Sequence, residues 1–141
     1  MKVSIIGNGL TGLTLATTLV NLGIQVDILS DQKTKKNNKF QTLGISKSNI
    51  DFFNENILNI KKFLWNINKI EILSENLKNK KILNFSNKGN TLFSIVRNFD
   101  LYNHLFSNLK KNKLIKFKKR TRYDNLIKEN YDLIFNCDYN N

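Results

Sequence analysis

The sequence contains no proline and only one cysteine, one histidine and one tryptophan in 141 residues. A lone Cys137 excludes an internal disulfide and any multi-cysteine zinc site, so cysteine usage does not point to an oxidising compartment. Set in an apolar stretch, it reads as a small buried hydrophobe. A lone His104, with no second histidine and no obvious acidic partner, reads as a surface or helix-packing residue. Arginine is scarce as well: Arg97, Arg120 and Arg122 are the only three among 23 basic residues, which face 11 acidic ones for a formal net charge of +12. That charge makes any nucleic acid or anionic membrane an electrostatic partner. The excess of Lys, Asn and Ile without proline fits an AT-rich coding bias spread along the surface better, so nucleic acid is not expected as a partner. Long apolar runs are missing too. Asn8, Thr11, Thr14, Thr17, Thr18 and Asn21 interrupt the best candidate for a membrane span. Glycines at 7, 9 and 12 argue against a signal-peptide helix. The expectation is a soluble, cytoplasmic chain whose 40% hydrophobic content fills the core of one domain.

What is present is concentrated at the start, in "VSIIGNGLTGLTLATTLVNLGIQVDILSD" from Val3 to Asp31. Val3 to Ile6 is a short apolar run ending at glycine, the pattern of a parallel strand buried on both faces. Leu10, Leu13, Ala16 and Val20 recur at helical spacing, and Gly23 is placed to end a helix from about Leu10 to Leu22. Gln25 to Leu29 supplies a second strand and closes a βαβ unit. Within it Gly7, Gly9 and Gly12 form G-x-G-x-x-G between strand and helix. Gly7 permits the tight turn, Gly9 lets a pyrophosphate approach the backbone, and Gly12 lets the helix pack closely on the strand. The helix then offers its unpaired N–H groups and positive dipole end to the phosphates. An acidic residue near the end of the second strand would accept the ribose hydroxyl protons. The candidates are Asp27, inside the strand, and Asp31, just past it and better placed.

Further along, "DQKTKKNNK" from Asp31 to Lys39 is a loop by composition. "FQTLGIS" reads as extended, and Ser48 to Trp65 as one or two helices, with Trp65, Phe63 and Leu64 in the core. Ile70 and Ile72 alternate with charged residues before "KILNFS", predicting a hairpin with one wet face. "TLFSIV" makes another strand. Asn98 or Asp100 caps a helix to about Leu109, with Leu101, Leu105 and Leu109 on one stripe. Ile115 and Phe117 alternate with lysines in a strand, and "YDLIFNC" is the last. The charge run "KKNKLIKFKKRTR" from Lys110 to Arg122 reads first as a solvated face, with an anionic membrane surface and then nucleic acid as alternatives.

The pattern Val3-x-Ile5-Ile6-Gly7-x-Gly9-x-x-Gly12-Leu13-x-x-Ala16-x-x-Leu19-x-x-x-Gly23-x-x-Val26-x-Ile28 resembles the amino-terminal FAD fingerprint of flavoprotein monooxygenases more than an NAD site. "QTLGISKSNIDFF", Trp65, "IEIL", "FSIVRNFDLYNHL" and "YDLIFNCDYN" follow in the block order of the ubiquinone-biosynthesis hydroxylases, a branch of the para-hydroxybenzoate-hydroxylase-like family. The resemblance implies an α/β, Rossmann-like FAD/NAD(P)-binding domain over 1–141, with about 69–97 contributing strands of a substrate-domain sheet. It also implies an oxidoreductase that hydroxylates an aromatic or polyprenylated quinone precursor through a flavin hydroperoxide, with NAD(P)H as electron donor. No nucleophilic residue or metal cluster belongs to that chemistry. A polyprenylated substrate would bring peripheral contact with the inner face of the membrane.

By the resemblance, the cofactor-binding set is Gly7, Gly9, Gly12, Ser30, Asp31, Gln41, Arg97 and Asp138. Several positions depart from the family pattern. Ser30 stands where the family ends its second strand with Glu, leaving Asp31 as the substitute. Gln41 replaces an Arg. Phe99 occupies the aligned place of a flavin-facing Arg, which Arg97 can serve from two residues earlier. Asp138 matches the Asp of an Ala-Asp-Gly motif whose glycine is here Tyr139. The family's later Gly-Asp motif has no counterpart, so the chain is expected to be an amino-terminal portion of that architecture. Two rival readings stand beside this one: a non-catalytic binding module that has lost tight FAD binding, and an NAD-binding dehydrogenase domain.

Overall fold

The computed structural model describes residues 1–31, 41–75, 80–86, 91–120 and 130–138. The loop expected at Asp31 to Lys39 falls beyond Asp31 outside these residues, as do Arg122 and Tyr139. Strand β1 (Lys2–Ile6), helix α1 (Leu10–Asn21) and β2 (Gln25–Ser30) form the expected βαβ unit, with β1 and β2 parallel and Val3 opposite Val26. Gly23 ends α1 with φ +77°, and the amide of Ile24 donates back to the Leu19 carbonyl at 3.0 Å.

Two strands from the far end of the chain complete this sheet. β8 (Ile115–Lys119) pairs in parallel with β2, and β9 (Leu133–Asn136) with β1, for the order β8-β2-β1-β9. All four strands are parallel, so Lys119, Ser30, Ile6 and Asn136 end on one edge. That edge is where an open α/β sheet takes its ligands.

Alternation along the strands divides the residues between two faces. Val3, Ile5, Val26 and Ile28 face Leu13, Ala16 and Val20 of α1 and Leu101, Leu105 and Leu109 of α3 (Asn98–Lys110), all buried in one cluster. Each such side chain taken fully from water stabilises the fold by about 1.5–3 kcal/mol. Ile6 and Leu29 point the other way, against Tyr131 and Ile134. Asp27 shares that second face and is 4% exposed.

A second sheet, order β3-β7-β4, is antiparallel and built from β3 (Thr42–Ile45), β4 (Trp65–Ile67) and β7 (Phe93–Arg97). β7 runs directly into α3, and its Val96 is buried in the main cluster, joining the two sheets. Between β3 and β4, α2 (Lys47–Asn56) starts on Ser46, whose hydroxyl accepts from the Asn49 amide at 3.3 Å. A single 3-10 turn, Lys61–Phe63, follows. The predicted helical stretch from Ser48 to Trp65 is therefore one helix and one turn, and Trp65 already belongs to a strand.

Three expectations are corrected. Trp65 is 53% exposed rather than core, since β4 is an edge strand. Neither Asn98 nor Asp100 caps α3: the cap position is Arg97, without a side-chain cap bond, and Asp100 lies in the first turn. The hairpin of β5 (Lys69–Ser74) and β6 (Lys80–Ser86) forms as predicted, with a register shift at Ile72/Leu73. It does not have one wet face, however. All seven residues of β6 are exposed, Ile82, Leu83 and Phe85 among them, because no other described element is layered on it.

Candidate functional site

The glycine loop sits at the carboxyl edge of β1, tied to both neighbours. The Gly7 amide donates to the Leu29 carbonyl at 2.8 Å, and the Cys137 amide to the Ile6 carbonyl at 2.8 Å. The fold requires glycine at positions 7 and 12, for different reasons. Gly7 has φ +102°, and a Cβ there would stand 3.1 Å from the Asp138 amide nitrogen and the Cys137 carbonyl carbon. At Gly12 a Cβ would lie 2.3 Å from the Gly7 carbonyl oxygen, so helix and loop touch backbone to backbone. Gly9 differs. Its φ of −71° suits any residue, and beyond its own chain neighbours no described atom lies within 4 Å of the place its Cβ would take.

Helix α1 begins on Gly9, with no side-chain cap bond and no acidic residue in its first turn. Its first intrahelical bond runs from the Leu13 amide to the Gly9 carbonyl at 2.9 Å, so the preceding amides have no acceptor within the helix. A phosphate oxygen is the natural partner for such a helix start.

Ser30 closes β2 partly buried, and Asp31 follows it exposed. Asp27, the other acid weighed for a ribose, is committed elsewhere. Its carboxylate accepts from Tyr131 Oη at 2.7 Å and lies 2.9 Å from Lys118 Nζ and 3.7 Å from Lys2 Nζ. Burial alone would push that carboxyl up; the Tyr131 and Lys118 hydrogen bonds and the charges of Lys118 and Lys2 outweigh it and hold it below its ordinary value. Asp138 stands beside Gly7, and its Oδ2 is 3.0 Å from Arg120 Nη1, while the Arg120 amide donates to the Ser30 carbonyl at 3.1 Å.

Gly7, Gly9, Gly12, Ser30 and Asp138 thus gather on one edge. Gln41 and Arg97 form a separate pair at the meeting of β3 and β7, where the Asn98 amide donates to the Gln41 carbonyl at 2.9 Å. Arg97 Nε binds Asp100 Oδ2 at 2.7 Å, and its guanidinium carbon lies 5.4 Å from the centre of the Trp65 ring. An apolar groove of about 570 Å³ lies between α1 and this second sheet, lined by Leu10, Thr11, Thr14, Leu43, Gly44 and Val96 among others. It starts at the first turn of α1 and reaches β3. A second cavity of about 370 Å³, beside Lys47, Lys61, Asn66 and Ser94, is lined by none of the glycine-loop residues.

The remaining candidates are structural. His104 Nε2 lies 3.0 Å from the Asn59 carbonyl, and its ring is 4.8 Å from that of Phe63. Cys137 is half-buried against the main core, and burial pushes its thiol up. Among the described residues no group of three or more His, Cys, Asp or Glu side chains gathers, and no helix is long and apolar enough to cross a membrane. The charge run from Lys110 is not simply a solvated face: Lys118 pairs with buried Asp27, and Arg120 with Asp138. Sequence reading passed over Arg120 as a functional residue. Its one signal is its place just past a strand, the place Asp31 takes after β2.

Solved structures share this fold. The chain aligns with p-nitrophenol 4-monooxygenase PnpA from Pseudomonas putida DLL-E4 at TM-score 0.67 and 15% identity, covering 83% of this chain and 31% of that one. With Klebsiella pneumoniae HpxO complexed with FAD and uric acid the values are 0.66, 17%, 85% and 31%. With P. aeruginosa PqsL in complex with 2-aminobenzoylacetate they are 0.66, 12%, 84% and 33%. The chain therefore spans about a third of the length of these proteins. No curated protein sequence matches it. The parallel sheet, the glycine loop on its carboxyl edge and the family match over residues 1–130 agree, and the chain belongs to the FAD binding domain family.

Proposed function

We propose that this chain is the FAD-binding part of a flavin-dependent monooxygenase that hydroxylates an aromatic precursor of a quinone, with NAD(P)H as the electron donor. The observation behind this reading is Gly9. Packing demands glycine at positions 7 and 12, but neither packing nor backbone conformation demands it at 9. A ligand that comes against the backbone there does, and the uncapped start of α1 selects an anionic one.

FAD bound at this loop supplies the activation of oxygen for insertion into an electron-rich ring. The chain's own residues bind and orient. The amides at the start of α1 would hold the diphosphate, and Ser30 with Asp31 would hold the ribose. The groove from Thr11 to Gly44 offers an apolar wall to a flat ring system, with Gln41 just before its β3 side. A quinone precursor with a prenyl tail, and a peripheral membrane contact to receive it, belong to the same proposal.

The rival reading, a module without tight FAD binding, draws on the ribose corner, where Ser30 is uncharged and Asp31 exposed. One experiment separates the two. The purified chain is mixed with FAD, passed through a desalting column, and its visible spectrum recorded with and without NADH as competitor. Retained flavin absorption that NADH does not displace is expected. A colourless protein would overturn the proposal in favour of the rival.

A further inference from the structure

Arg120 lies where the carboxyl edge of the parallel sheet meets the glycine loop. It follows the last residue of β8, its amide is bonded to the end of β2 at Ser30, and its side chain reaches Asp138, which follows β9 and abuts Gly7. The ion pair therefore links the ends of β8 and β9 across those of β2 and β1, the strands that bring Ser30 and the loop to the site. Both partners are partly buried, with side chains 26% and 29% exposed, so solvent screens the pair less than it would at the open surface.

The sign of the charges sets a problem that Arg120 solves. An anion is drawn to the start of α1, yet Asp138, whose backbone amide abuts Gly7, brings a carboxylate to the same edge of the sheet, and that charge repels it. A guanidinium offers five N–H donors in a planar fork. Asp138 Oδ2 takes up Nη1, which cancels the carboxylate's charge and fixes the fork in place. The geometry of a fixed guanidinium also matches phosphate oxygens.

We propose that Arg120 is a positioning residue for the cofactor diphosphate, neutralising Asp138 and presenting its fork to the phosphate oxygens. This inference rests on the FAD reading above and extends it to a residue outside the glycine motif. A purely structural ion pair would affect folding alone. A diphosphate role affects affinity, its salt dependence, and the way the two residues couple.

The test measures FAD affinity by quenching of flavin fluorescence, at low and high salt, for the wild type, Arg120→Gln and the double variant Arg120→Gln/Asp138→Asn, with melting temperatures of the free proteins alongside. Arg120→Gln is expected to weaken FAD by at least about tenfold, as for loss of a charge-assisted hydrogen bond, and to flatten the salt dependence. Its melting temperature should stay within about 3 °C of the wild type, the scale of a lost ion pair still partly open to solvent. Removing the carboxylate as well should recover the part of the lost affinity owed to its repulsion and leave the part owed to the lost phosphate contact. Wild-type affinity in Arg120→Gln, or a weakening that Asp138→Asn does not relieve, would overturn the proposal. If the wild type does not bind FAD, the underlying reading fails first. ADP, which has the diphosphate without the flavin, then tests Arg120 separately: weaker ADP binding in Arg120→Gln supports the role, and equal or absent binding rejects it.

Discussion

The parallel sheet and the β5–β6 hairpin are both formed by chain segments with strong strand patterning, yet only one of them holds a core. In the sheet, Val3, Ile5, Val26 and Ile28 are fully buried under α1 and α3. In the hairpin, Ile72, Leu73, Ile82, Leu83 and Phe85 are 43–56% exposed, and backbone pairing is its main support. A two-stranded hairpin is marginal in water by itself. Alternation is thus enough to specify a strand, while burial depends on what the rest of the fold layers upon it. The candidate site follows burial: its glycine loop is suspended from the well-packed sheet.

Substitutions at matched points sharpen that contrast. The largest effect is expected at Gly12, where valine would put a Cβ 2.3 Å from the Gly7 carbonyl oxygen. Overpacking commonly costs about 1–3 kcal/mol and more where backbone cannot yield. Circular dichroism should therefore show no cooperatively folded protein. Next comes Leu105→Ala in α3, a fully buried position, with an expected loss of about 2–5 kcal/mol in urea unfolding. The parallel change Phe85→Ala in the hairpin should stay within about 0.5 kcal/mol. A comparable loss at both would break the comparison, by showing that the hairpin has a packing partner.

Asp27→Asn is expected to cost about 1–3 kcal/mol at neutral pH, since it leaves Lys118 and Lys2 without their buried carboxylate. The pH dependence has a definite sign. The folded state holds the Asp27 carboxyl below its ordinary value, so its stabilisation is complete above the unfolded pKa and fades as pH falls through the folded one. Unfolding midpoints of wild type and Asp27→Asn should begin to approach each other below about pH 4 and meet only once the pH has fallen through the lower folded pKa. The smallest effect belongs to Glu71 on the hairpin, held down to about 2 by hydrogen bonds from Lys69 and Lys81. The same sign applies, but the group is exposed, so Glu71→Gln should leave the melting temperature unchanged at pH 7.

The glycine loop and the βαβ unit were legible in the sequence because they are local. Strand, loop and helix are contiguous, Gly12 meets the Gly7 carbonyl five residues before it, and the positive φ of Gly7 belongs to the turn itself. The ends of α1 and β2 fall within one residue of the expected ones. Pairings across long separations were not legible. No periodicity says that Ile115–Lys119 lies beside β2, that Lys118 reaches Asp27, or that Arg120 reaches Asp138. Trp65 misled for the same reason. Its size and apolar neighbours favour burial, but its place on an edge strand of the β3-β7-β4 sheet leaves it beside Arg97 in solvent. Residues Gln41 and Arg97 are brought near one another by a β3–β7 register, Thr42 opposite Arg97, that local sequence does not contain.

The central claim is that Gly9 is kept free of a side chain for a ligand and not for the fold. Its most direct test is a parallel FAD titration and thermal melt of the wild type and Gly9→Val. The account predicts saturable FAD binding by the wild type, none detectable in the variant, and free-protein melting temperatures that coincide. Equal FAD affinity in the two proteins would contradict it.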